Sequence, residues 1–315
     1  MSVTEKIVAF VFVAGALAVY VLEVLLVVIF AARKLRARKA PDIFWSKPAV
    51  IIHALAAIGI ICFLYACLVE PYWLEVKTIR IPTEKLSRAR FRLVHISDLH
   101  CDKKLRIEKK LVERINQIQP DVIVFTGDTL RLKTPSALPV FKNTMSDLKA
   151  GLAKFAVRGN VDVWYLPNLD FYGGTGFEVL DANIVELQKD GETFYISGLN
   201  CEYPSAVRSL LQSVPADRFS IFLYHYPDLI EEVRGLNVDL YLAGHTHGGQ
   251  IALPGYGALI TLSKFGKEYE SGMYHVGSTI LYVNRGIGGH ASRVRFFARP
   301  EITVFDVGPN QNGDD

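Results

Sequence analysis

"DVIVFTGD", residues 121–128, runs through four consecutive apolar residues and then stops at Thr-Gly-Asp. A segment apolar on both faces is a strand covered on both sides, the kind found inside layered α/β sheets rather than in one-sided hairpins. Pro120 stands directly before it and ends "LRIEKKLVERINQI" (105–118), where Leu111, Val112, Ile115 and Ile118 recur at helical spacing. "FRLVHIS" (91–97) precedes that helix as another strand. Further strands are expected at "KFAVRGN" (154–160), "IVELQ" (184–188), "TFYISGLN" (193–200), "SIFLYHY" (220–226), "DLYLAGH" (239–245), "TILYVNRG" (279–286) and "EITVFDV" (301–307). Helices are expected within 136–150, 204–213 and 228–234, and "QKDGET" marks a hairpin turn. The alternation predicts a layered α/β or α+β domain on two sheets.

Polar residues gather just beyond these strands. Asp98 and His100 follow the first, Asp128 the second, and Asn160, His225, His245 and His247 the later ones. Ligand sites in such sheets form beyond the carboxyl ends of strands, so these side chains can converge. Taken singly, an Asp after a strand is a helix cap and a lone His a core residue; the recurrence points to a shared site. Three oxygen donors with four imidazoles suit Mn, Fe, Zn or Ni, not Ca or an iron–sulfur cluster. "GHTHGGQ" (244–250) sets two of the histidines on a tight turn, where Gly244, Gly248 and Gly249 let backbone approach a metal.

The net charge of +3 implies no nucleic-acid partner. Cys62, Cys67, Cys101 and Cys201 have no disulfide or zinc spacing, which is compatible with a reducing compartment. Residues 7–32 hold a single charge, Glu23, and 49–68 form a second run of spanning length. Two transmembrane helices over 1–69 are expected, joined by a basic loop with Trp45 near the interface. A cleaved signal peptide and two buried soluble helices fit these lengths less well. Both flanks of the pair are basic, so charge does not set the orientation, and Glu23 and His53 either pair across the hairpin or lie near the helix ends. A linker is expected over 70–90, a catalytic domain over 91–307 and a disordered tail over 308–315.

"SDLH", "TGD", "RGN", "YH" and "GHTHGGQ" occur in the order that resembles the calcineurin-like metallophosphoesterases. "VEPYWLEV" and "LYVNRGIGGHASRVRFFARPEI" resemble a membrane-linked bacterial branch that includes UDP-2,3-diacylglucosamine pyrophosphatase. The resemblance implies a four-layer α-β-β-α sandwich behind the transmembrane hairpin, with two divalent ions, Mn2+ first and Fe or Zn as alternatives. It also implies that Asp98, His100 and His247 hold one ion, that Asn160, His225 and His245 hold the other, and that Asp128 bridges them. Asp128, Asn160 and His225 double as the expected catalytic set. Where the family carries Gly-Asn-His, this chain has Gly159-Asn160-Val161. The missing histidine protonates leaving groups, so Val161 favours a pyrophosphate, whose leaving phosphate is already a stable anion. His290 is a possible substitute. Asp162, freed of its usual partner, is read as a cap.

The implied activity is hydrolysis of UDP-2,3-diacylglucosamine to lipid X and UMP in lipid A biosynthesis, at a bacterial inner membrane and preferably on its cytoplasmic face. The alternatives are a broad-specificity phosphodiesterase or phosphatase and a non-catalytic metal- or phospholipid-binding scaffold. The expected partners are the membrane and a lipid-linked phosphoester, with no protein partner evident. Trp164, Tyr165, Leu166, Phe171 and Tyr172 would form an apolar lip or pack as core, and one or more of Arg158, Arg285, Arg293 and Arg295 would clamp phosphate.

Overall fold

The structure, a computed structural model, describes residues 3–36, 42–131, 135–290 and 292–310. Two helices open the chain. α1 (Val3–Leu35) has 33 residues, and α2 (Lys47–Leu68) has 22 and starts at Ser46, whose side chain accepts from the Ala49 N–H with Pro48 in the first turn. They form an antiparallel hairpin. Glu23 Oε2 meets His53 Nδ1 at 2.6 Å, and Tyr20 donates to the Ala56 carbonyl. Glu23 and His53 therefore pair across the hairpin. Their apolar side chains face outward around both helices, with Phe10, Leu17 and Ile61 all more than half exposed. Helices of this length and apolar character, mostly exposed among the described residues, are candidate membrane spans. Arg38 and Lys39 of the basic loop lie outside the described residues.

Two six-stranded sheets follow. The first takes β1 (Glu75–Thr83), β2 (Phe91–Ile96), β3 (Val122–Phe125), β4 (Ala153–Ala156) and β5 (Glu178–Val179). The second takes β6 (Asn183–Lys189), β7 (Glu192–Gly198), β8 (Phe219–Leu223) and β9 (Leu240–Ala243). A small hairpin, β10 (Ala252–Leu253) and β11 (Gly257–Ala258), precedes β12 (Gly272–Val276) and β13 (Thr279–Val283), which complete the second sheet, and β14 (Glu301–Pro309) returns to the first. The orders are β1-β14-β2-β3-β4-β5 and β12-β13-β9-β8-β7-β6. α3 (Glu108–Ile118) and α4 (Leu138–Ser146) cover the first sheet, while α6 (Val207–Gln212) and α7 (Ile230–Val233) cover the second; the short α5 (Asn160–Tyr165) follows β4.

Three apolar layers hold this together. Leu93, Val124, Phe155, Ile196, Ile221 and Leu242 fill the space between the sheets. Leu111, Ile115, Phe141 and Met145 pack against the outer face of the first sheet, and Leu211, Ile230 and Val233 against that of the second. The expected four-layer sandwich is present. Two boundaries move. Residues 70–90, expected to be a linker, contain β1, which pairs in parallel with β14 along nine residues. Its alternation is only partly apolar because it lies at a sheet edge, so periodicity alone did not mark it. Gly308 and Pro309, expected in the tail, end β14, and 311–315 lie outside the described residues.

Candidate metal centre

β2, β3, β4, β8 and β9 all end at one edge of the sandwich and deliver the polar residues together. His100 Nε2 stands 3.2 Å from His247 Nε2, 3.5 Å from Asp128 Oδ2 and 3.9 Å from Asp98 Oδ1. His247 Nε2 is 3.4 Å from Asp98 Oδ1. On the other side of Asp128, its Oδ1 is 3.6 Å from His225 Nε2, which lies 3.0 Å from Asn160 Oδ1. Atoms that share one cation through bonds of roughly 2.0–2.2 Å stand roughly 3.0–3.6 Å apart. These spacings are those of donor atoms that could hold cations, in two adjoining groups, Asp98–His100–His247 and Asp98–Asp128–His225. Asp98 Oδ1, fully buried, has no hydrogen-bond partner, as expected of an atom meant for a cation. His245 is set further back: its ring centroid lies 5.1 Å from that of His225 and 4.3 Å from Tyr226, outside the tightest donor groups.

Local backbone geometry explains how so many donors fit. Asp98, His100, Asp128, His245 and His247 all have positive φ, between 40° and 69°. Non-glycine residues rarely adopt that region, and such strain persists where the surrounding structure imposes it. The left-handed residues follow β2, β3 and β9, whereas Asn160 after β4 and His225 after β8 reach the site without positive φ. Gly244 permits one of the close approaches: a Cβ there would lie 1.9 Å from Ser97 Oγ and 2.3 Å from Asp98 Oδ2. In its absence the His245 N–H donates to Asp98 Oδ2 at 3.0 Å, and Ser97 Oγ donates to the same oxygen at 2.6 Å. Asp98 is thus aimed with Oδ1 left free.

Electrostatically the site is short of positive charge. Burial pushes the Asp128 carboxyl up to about 8, and Asp98 and Asp162 push the same way against His225. Burial likewise raises Asp98. Burial drives His100 down to about 3 and holds His245 and His247 well below the ordinary imidazole range, which is the neutral form that ligates metals. His225 differs: burial pulls it down, but Asp128, Asp98 and the Thr126 carbonyl outweigh that and raise it. Its Nδ1 lies 2.6 Å from the Thr126 oxygen, which fixes the ring and leaves Nε2 toward Asp128. Buried carboxylates that resist ionisation, facing neutral imidazoles, are the donor set that divalent cations stabilise.

The family-model comparison matches calcineurin-like phosphoesterase over residues 91–249. The chain belongs to that family. It is 34% identical over 269 residues to the metallophosphoesterase YkuE of Bacillus subtilis, covering 77% of this chain and 88% of that protein. It is 26% identical to the UDP-2,3-diacylglucosamine pyrophosphatase LpxG of Chlamydia muridarum (81% of this chain, 95% of that protein) and 27% identical to the phosphodiesterase YaeI of Escherichia coli (78% and 92%). As a calcineurin-like phosphoesterase it is a metal-dependent phosphoester hydrolase, which sets the scaffold alternative aside. The family holds two divalent ions, and the described residues offer two candidate donor groups, Asp98–His100–His247 and Asp98–Asp128–His225.

Several expectations change in detail. Val161 is buried, and its N–H donates to Asp128 Oδ1 at 2.9 Å. Asp162, buried as well, accepts from the N–H groups of Asp128, Thr129 and Gly159 and from Thr129 Oγ1. It caps α5 and also fixes the loop carrying Asp128, a role visible only once β3 and β4 are side by side. The aromatic loop divides: Phe171 and Tyr172 are core beside Phe141, while Trp164 and Tyr165 are exposed. Arg285 is committed to Glu75 and Glu301, and buried Arg295 donates to the carbonyls of Gly288 and Ala298, so both are structural. Arg158 donates to the Pro167 carbonyl. Arg293 pairs with Asp102, which also pairs with Arg106 and Arg131, a group the motifs did not signal. His290 is brought to the site, its ring 5.7 Å from that of His100 and 6.5 Å from that of His247.

Proposed function

We propose that this chain is a membrane-anchored two-metal hydrolase that cleaves the pyrophosphate of a lipid-linked nucleotide, with UDP-2,3-diacylglucosamine the best match and lipid X and UMP the products. Asp98, His100 and His247 would hold one ion, Asn160, His225 and His245 the other, and Asp128 both; Mn2+ is the first choice, then Fe or Zn. Such a pair supplies Lewis acidity, activating water and neutralising charge on a transferring phosphoryl group. The chain's own residues orient that set: Ser97 and the His245 N–H aim Asp98, Thr126 fixes the His225 ring, and Asp162 holds the Asp128 loop.

The observation that carries the lipid reading is the attachment of the hairpin. Glu5, in the first turn of α1, accepts from Thr261 Oγ1 at 2.7 Å, and Glu70, just past α2, accepts from the N–H groups of Phe297 and Ala298. Both partner loops adjoin the segment just after "GHTHGGQ": the Ala252 N–H donates to the Phe296 carbonyl, and the Leu259 N–H, two residues before Thr261, donates to the Ile251 carbonyl. A substrate held in the bilayer would thus lie beside the reacting groups. Val161 supports the same substrate, because an aliphatic side chain cannot protonate a leaving group and a leaving phosphate does not need it. The relatives named for UDP-2,3-diacylglucosamine also support it. Exposed Trp164 and Tyr165, at the end of the helix that begins with Asn160, offer apolar surface to acyl chains. The inner membrane of a bacterium is the proposed location, with the domain on the cytoplasmic face where nucleotide-linked substrate is made.

His290 favours a second reading. An imidazole beside His100 and His247 is placed to protonate an alkoxide, as a phosphodiesterase requires. Full-length Mn-loaded protein should be assayed by mass spectrometry against UDP-2,3-diacylglucosamine, simple phosphodiesters and phospholipids. Release of UMP as the fastest reaction is expected. Faster cleavage of alkyl phosphodiesters, lost in His290→Ala, would replace the first reading with the second.

A further inference from the structure

Two large apolar residues break two rules at once. Leu262 and Phe297 are 55% and 58% exposed, and both have positive φ, 59° and 54°. A left-handed backbone is costly for any side chain with a Cβ, and an exposed Leu or Phe gains nothing from water in return. Among the eleven described non-glycine residues with positive φ, five are the metal-centre donors above, and these two lie on the loops that touch the hairpin.

Their height along the hairpin is fixed by hydrogen bonds. Thr261, adjacent to Leu262, bonds Glu5 through both its N–H and its hydroxyl. Phe297 donates its own N–H to Glu70, and Arg295 donates its N–H to the carbonyl of Ala66, inside the last turn of α2. Tyr65 and Phe296 add an edge-to-face contact with centroids 6.2 Å apart. The antiparallel register puts Glu5 and Glu70 at the same end of the pair. With 22 residues, α2 is about 33 Å long and spans a hydrocarbon layer of about 30 Å only if nearly all of it is used. Ala66 then lies at the boundary of that layer, and Phe297 beside it.

The surroundings have the composition of an interface. Tyr72 and Trp73 follow α2 and are partly exposed, with the Arg299 guanidinium 4.3 Å from the Trp73 ring. Lys6 and Lys264 are exposed next to Glu5 and Leu262. This is an aromatic and basic belt, of the kind that sits among headgroups.

We infer that the loops around Leu262 and Phe297 form an apolar rim that inserts into the bilayer spanned by the hairpin, seating the metal centre at a fixed height against the headgroup layer. The occupant of this surface is the bilayer's headgroup–acyl boundary, and the inference rests on reading α1 and α2 as membrane spans. The rim also reaches the chemistry directly. The Leu259 N–H, three residues before Leu262, donates to the Ile251 carbonyl, and the Phe296 N–H donates to the Gln250 carbonyl at the end of the histidine turn. A lipid phosphate at the headgroup level therefore meets the donors without leaving the membrane, whereas a free nucleotide gains nothing from the rim.

The test is depth-dependent fluorescence quenching of the full chain in nanodiscs containing lipids brominated near the carbonyl or deep in the acyl chain. Leu262→Trp and Phe297→Trp report the rim, and Leu17→Trp, on the outer surface of α1 and about 10 Å deeper than Ala66 in the hairpin register, reports the span. Each is compared with the native chain, whose Trp45, Trp73 and Trp164 set the background. Unchanged metal content shows that each variant keeps its fold. Both rim tryptophans are expected to be quenched by the shallow bromines more than by the deep ones, with Leu17→Trp quenched more by the deep ones. Quenching at position 17 without quenching at 262 and 297 would overturn the rim and leave the hairpin standing. Absence of quenching at all three would overturn the membrane reading itself.

Discussion

Replacing Asp162 by Asn changes one atom and should disable the metal centre. One carboxylate oxygen accepts from the Thr129 N–H at 2.9 Å and from Thr129 Oγ1 at 2.7 Å; the other accepts from the Asp128 and Gly159 N–H groups, both at 3.0 Å. An amide can keep only one of these oxygens. The less costly orientation turns its NH2 toward Thr129, whose hydroxyl can rotate to accept, and leaves one buried N–H unpaired. That orphan costs roughly 1–3 kcal/mol, and the two remaining bonds lose their charged acceptor, for a total of about 3 kcal/mol. In a domain of this size the melting temperature should fall by about 6–12 °C. Asp162→Ala orphans three N–H groups and should cost at least about twice as much. The donors of Asp128 and Asn160 sit on the two loops that Asp162 ties together, so bound metal should fall along with stability. Thermal melts of detergent-solubilised protein, paired with metal content by mass spectrometry, read both effects. A variant that melts within about 2 °C of the native chain and keeps its full metal content would refute the role given to Asp162.

Asp128→Asn should abolish hydrolysis and weaken both ions together, while His247→Ala and His245→Ala should each chiefly empty a different site; metal stoichiometry separates the three. Metal-free protein should lose stability as pH rises from 6.5 toward 8. The Asp128 carboxyl, raised on folding to about 8, favours the folded state while protonated and loses that advantage as it ionises, and raised His225 acts in the same direction. His100, lowered to about 3, contributes with the opposite sign only below 6.5, so melts in chelator that rise or stay flat across this window would contradict the charge balance described. Val161→His should speed alkyl phosphodiester cleavage and leave the pyrophosphate rate nearly unchanged, at a cost of roughly 1–3 kcal/mol for repacking a buried position. A rate gain of a hundredfold or more on the pyrophosphate would break the link between Val161 and leaving group.

Much of this protein is decided by local patterns that a chain carries in any context. The apolar run at Val122–Phe125, the helix ended by Pro120 and the hairpin turn at Asp190-Gly191 form elements because side-chain period and turn chemistry act over a few residues. Polar residues placed after buried strands converge because parallel strands share an end, so all seven candidate donors stand out in the sequence itself. What needed the tertiary structure is everything set by partners far away in sequence. β1 is a strand because β14 lies beside it, more than 200 residues later. Asp162 became an organiser because β3 and β4 bring Asp128 and Thr129 to it, and Arg285 and Arg295 were removed from the phosphate contacts by Glu301 and by backbone carbonyls. Glu5 meets Thr261 across 256 positions, a contact that fixes how the apolar helical hairpin sits on the two-sheet sandwich. A buried carboxylate or guanidinium takes its role from whichever groups desolvation forces it to pair with, and only the packed chain determines which groups those are.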